Sequence, residues 1–182
     1  GLEHLDTTGM DAIHTRVVAL TGWLLDEMTS LRHSNGAPMV RIFGPQNTAA
    51  RGATIAFNFI DPAGQVLDYR HVEAMAADAH ISLRTGCFCN PGAGEIAHGI
   101  THDEMAQCFA GSEPVTYQQL YATMQQRGKT AATFRISLGI VSNFADVAAF
   151  MAFAQQFRDT LAATFAGRPL ETVHDALLRD AT

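Results

Sequence analysis

Two thiols one residue apart, Cys87 and Cys89, stand in the run Arg84-Thr85-Gly86-Cys87-Phe88-Cys89-Asn90-Pro91-Gly92. A thiol acts as a nucleophile through its thiolate, which needs nearby positive charge or backbone N–H groups and access to a substrate. This run supplies an arginine, two glycines and a proline around the sulfurs, a composition that lifts a side chain away from a core. If the segment is extended, both thiols point to the same side. The remaining cysteine, Cys108, falls in the apolar pattern Met105-Cys108-Phe109 and reads as a packed thiol. Together with His98 and His102, placed at i and i+4, the three cysteines also make a metal-binding module a rival reading. Paired zinc cysteines prefer two to four intervening residues, however, and Gly99 separates the histidines, so no metal is assigned.

The loop needs elements to carry it. Ile13, Val17, Leu20, Leu24, Met28 and Leu31 recur at helical spacing and predict a helix of about six turns starting near Thr7 or Thr8. Met39 to Phe43 and Ala53 to Phe59 read as strands, the second alternating Ile55, Phe57 and Phe59 against Thr54, Ala56 and Asn58. A helix is expected from about Asp68. The short stretch Ile81-Ser82-Leu83-Arg84 is a strand candidate that delivers the cysteine loop. Thr101 is expected to cap a short helix reaching Phe109, and another runs from Thr116 to Gln126. Phe134, Ile136 and Leu138 predict a closing strand, followed by an apolar stripe from Val147 to Phe165. A few strands separated by helices imply an α/β two-layer sandwich, a small sheet covered on one face by helices. A single domain over 1–182 is expected, with 167–182 as an accessory tail.

At 182 residues, 47% hydrophobic, the chain is long enough to bury a core without disulfide staples. Its formal charge of -6, with the arginines scattered singly, argues against a nucleic-acid partner. No apolar run reaches membrane-spanning length, and the odd cysteine count fits reduced thiols in a cytoplasmic setting.

The run Arg84 to Ala93 resembles the cysteine loop of molybdenum cofactor sulfurases, within the class V aminotransferase and cysteine desulfurase family. Val40-Arg41-Ile42-Phe43-Gly44-Pro45, continuing through Arg51-Gly52-Ala53-Thr54-Ile55, is similar to the first strands of that family's C-terminal domain. Phe134-Arg135-Ile136-Ser137-Leu138-Gly139 with Ser142-Asn143-Phe144 is similar to its closing strand and helix. The resemblance implies the small C-terminal domain of a fold-type I enzyme dependent on pyridoxal phosphate, homodimeric and cytoplasmic, acting on cysteine or a related amino acid. It implies Cys89 as the sulfur acceptor that becomes a persulfide, with Cys87 as a secondary thiol. Arg135 corresponds to the arginine that binds the substrate carboxylate, a role suited to a planar, bidentate guanidinium. Arg84 corresponds to a second active-site arginine.

Such chemistry needs a lysine to form the internal imine with the cofactor. Lys129 is the only lysine and stands in Arg127-Gly128-Lys129-Thr130 with no preceding histidine, so it reads as a solvated loop residue. No cofactor-binding residue is therefore assigned in this chain; an N-terminal portion of a longer protein is expected to hold the cofactor. Gly94 stands where a third loop cysteine is expected. The rival readings are a class V aminotransferase or lyase homologue without persulfide chemistry and, further off, a metal-binding or interaction domain.

Overall fold

Helix, strand and turn signals alternate along the chain, and the computed structural model, described here for residues 1–88, 90–111 and 113–165, resolves them into one sheet and a set of helices. Gly9, at φ 84°, separates α1 (Leu2–Thr8) from α2 (Met10–Ser30), so helical structure begins ahead of the expected start. Strands β1 (Val40–Phe43) and β2 (Thr54–Phe59) follow, then α3 (Tyr69–Asp78), whose N-cap Asp68 accepts a hydrogen bond from the Arg70 backbone N–H. Helices α4 (Pro91–His98), α5 (His102–Cys108) and α6 (Tyr117–Gln126) precede β3 (Phe134–Ser137) and α7 (Phe144–Gln155). A 3-10 turn at Ala162–Phe165 ends the described part. The accessory tail expected at 167–182 lies outside the described residues.

The sheet is antiparallel in the order β1-β2-β3, the α/β two-layer arrangement expected from the sequence. The period of two gives it two chemically different faces. Ile55, Phe57 and Phe59 of β2 and Phe134 and Ile136 of β3 are buried against Leu24, Leu25 and Met28 of α2 and Phe150 and Met151 of α7. Each of these large side chains contributes about 1.5–3 kcal/mol by leaving water. The opposite face carries Arg41 and Phe43 of β1, Ala56 and Asn58 of β2, and Arg135 of β3. In register, Arg41 faces Asn58, while Phe43 and Arg135 both flank Ala56.

Two expectations change in detail, and one helix is added. The strand proposed at Ile81–Arg84 is a single bridge, Arg84 to Arg135. Leaving α3 uses up the rest of the stretch: His80 takes φ 56°, and the Ile81 N–H still donates to Ala76 O at 2.8 Å. The apolar stripe from Val147 to Phe165 is not one helix either. Asp159 turns to φ 59°, giving its N–H to His33 Nδ1 at 2.9 Å and accepting on its carboxylate from the Ser34 N–H and hydroxyl. These tertiary bonds outweigh helical periodicity, although Phe157 and Phe165 still reach the core. Helix α4 was not anticipated. Its signals are Asn90 as N-cap, Pro91 opening the first turn, and Gly99 at φ 63° closing it.

Candidate functional site

The open face of the sheet meets the cysteine loop at the Arg84–Arg135 bridge. The Arg84 N–H donates to Arg135 O at 3.0 Å, and the Arg135 N–H returns to Arg84 O at 2.7 Å. Gly86, at φ 107°, then turns the chain, a conformation that favours glycine, and its carbonyl accepts from the Thr133 N–H at 2.8 Å. Thr85 Oγ1 donates to Glu73 Oε2 of α3 at 2.9 Å. The loop base is thus tied to β3, to the residue before it and to α3.

Phe88, between the two thiols in sequence, packs its ring at 6.0 Å from Phe43 and 5.7 Å from His98. His98 is held by Thr133, hydroxyl to Nε2, at 3.0 Å. Burial, aided by the positive charge of Arg41, pushes the His98 imidazole down to about 4, so it is neutral at physiological pH.

Arg84, Arg135, Cys87 and Phe88 border a cleft of about 40 Å³ floored by Ala56. The cleft is small, with room for a group the size of a carboxylate. Among the described residues neither guanidinium is ion-paired to a carboxylate. Cys87 is exposed, whereas Cys108 is half-buried against the small cluster of Ile100, Met124 and Ala131. Cys89 lies outside the described residues.

Lys129 is not a freely solvated loop residue. Its Nζ donates to Gly99 O at 2.6 Å and to both Glu104 oxygens at 2.7 Å. Glu104 also closes a capping box with Thr101, and these contacts, Lys129 first, hold its carboxyl down to about 2. The amine is a fastener between α5 and the loop after α4. The residues described do not fit an imine-bound pyridoxal phosphate.

The shared helix face proposed for His98 and His102 is not formed, because α4 ends at His98 and α5 starts at His102. Among the described residues no three His, Cys, Asp or Glu side chains gather as metal ligands, and no helix is long and apolar enough to cross a membrane. The sequence reading missed Glu73, Phe43, Thr133 and His98 as parts of this site. Period-two placement of Phe43 beside Arg41 was the available signal; the long-range contacts had none.

A small α/β domain presenting a thiol-bearing loop beside two arginines is the class that fold and site define. No protein-family model matches the chain. It is similar to molybdenum cofactor sulfurases: 35% identical over 155 residues to that of Bos taurus and over 156 residues to that of Homo sapiens, covering 84% of the chain in each. With that of Arabidopsis thaliana it is 29% identical over 94% of the chain. The chain spans 17–20% of the length of these relatives.

Proposed function

We propose that this chain is the small C-terminal domain of a cysteine desulfurase of the molybdenum cofactor sulfurase kind, in which Cys89 accepts sulfur as a persulfide and Arg135, with Arg84, holds the substrate carboxylate. The observation that carries the reading is the backbone bridge between Arg84 and Arg135, with both residues on the border of a small cleft that the cysteine loop also borders. Asn90, which follows Cys89 in the chain, caps α4. Cys87 is a secondary thiol on the same loop.

The chain's own part in the reaction is to clamp the carboxylate, present the thiolate and carry the new S–S bond. The cofactor, pyridoxal phosphate, would be held by an N-terminal portion of a longer, homodimeric and cytoplasmic protein, and Lys129 does not serve it. Replacing Cys89 by Ala in the full-length enzyme tests the proposal. Release of alanine and sulfide from cysteine is expected to fall to background; undiminished release would reject the persulfide role and leave a homologue whose cysteines are idle.

A further inference from the structure

Next to the arginine cleft, and bordered by the same loop, lies a second and larger hollow of about 260 Å³. Ile100, Met105 and Leu120 give it aliphatic walls, and the rings of Phe88, His98 and Tyr117 give it aromatic ones. Cys87 and Phe88 border both hollows. An apolar cavity of about 150 Å³ already accepts a benzene ring, so this volume accommodates a fused two-ring system.

Three polar side chains on its wall, Glu95, His98 and Tyr117, narrow the choice of ring. The Tyr117 hydroxyl is committed to Ala131 O at 3.2 Å. His98 uses Nε2 on Thr133, while Nδ1 has no protein partner among the described residues and is not among the buried unsatisfied atoms. A neutral imidazole with one ring nitrogen left over can serve one hydrogen-bonding edge of a ligand. Ligand pockets commonly combine apolar walls with one or two such polar groups.

We propose that this cavity is a binding site for a small planar heteroaromatic ring, seated between Phe88 and Tyr117 with one ring nitrogen paired to His98 Nδ1. The ring then covers the inner side of Cys87. This inference stands apart from the sulfur-acceptor reading: Cys87 and Phe88 border both hollows and His98 packs on Phe88, but none of the three is the proposed sulfur acceptor or carboxylate clamp.

The test uses the 182-residue chain, with benzimidazole and its hydrocarbon counterpart indene as probes, followed by calorimetry and by alkylation of the cysteines. Benzimidazole is expected to bind about tenfold more tightly than indene and to slow alkylation of Cys87 while leaving Cys108 unchanged. His98→Phe is expected to erase the tenfold preference but keep indene binding, and Ala131→Leu, which narrows the cavity, to weaken both probes. Should Ala131→Leu unfold the chain, Leu120→Met offers a milder change of wall shape, with the Cys87 protection as readout. Equal affinity for the two probes, or binding without protection of Cys87, would each overturn the proposal. The same titration on the Cys89→Ala chain is expected to be unchanged, so failure of the persulfide reading and failure of this one are separable.

Discussion

Arg135 is a bidentate partner by shape as well as charge, and a lysine ammonium in its place keeps the charge but loses the fork. Arg135→Lys in the full-length enzyme is therefore expected to raise the KM for cysteine about tenfold, the equivalent of roughly 1.4 kcal/mol, with a smaller change in kcat; an unchanged KM would demote Arg135 to a structural residue. Thiol chemistry separates at the same scale. Cys87 is exposed and Cys108 is packed in a small apolar cluster, so iodoacetamide is expected to alkylate Cys87 faster under native conditions. Peptide mass mapping over time checks the order. Residue identities were the most legible part of this site in the sequence: the two arginines and the two loop thiols announce anion binding and nucleophilicity through side-chain type alone. What residue type cannot tell is engagement. Lys129 looked idle, yet three contacts pin it, two of them to Glu104, 25 positions away.

Helix α4 is the element through which the loop is steadied, since it presents His98 to Phe88 and takes its N-cap from Asn90, whose side chain accepts from the Ala93 N–H at 3.2 Å. Asn90→Ala is expected to cost about 1 kcal/mol. Because α4 adds little to the main core, the loss should register as faster amide exchange over Ala93–His98 with only a small shift in melting temperature; a uniform loss across all elements would contradict this. Capping and periodicity make α2, α3, α5 and α6 legible in the amino-acid sequence, and the alternation in β2 places Phe57 and Phe59 in the core. The strand expected at Ile81–Arg84 and the continuation of α7 fail because both depend on bonds with distant partners, Arg135 for one and His33 and Ser34 for the other. Local propensity carries no record of such partners.

In the whole molecule, one face of a three-stranded sheet packs the core and the other carries Arg41, Arg135 and the cysteine loop. Phe57, fully buried, belongs to the first, and Phe57→Ala is expected to cost about 3–5 kcal/mol in denaturant unfolding. His98 links the second face to pH. Its folded value, about 4, lies below the ordinary 6.5, so between those values the unfolded chain binds more protons and stability falls as pH drops through that window. Unfolding midpoints measured from pH 7 to 4 are expected to decline less steeply for His98→Gln than for the parent; parallel curves would show that the histidine is not desolvated. The similarity to molybdenum cofactor sulfurases covers most of this chain but a fifth or less of each relative cited, which is why the domain's own residues carry the central test. That test is the mass of the cysteine peptides after the 182-residue chain has been treated with a small-molecule persulfide and its thiols trapped by alkylation. The account predicts one added sulfur atom on Cys89, lost in Cys89→Ala; sulfur confined to Cys87 or Cys108, or distributed equally among the three, would contradict it.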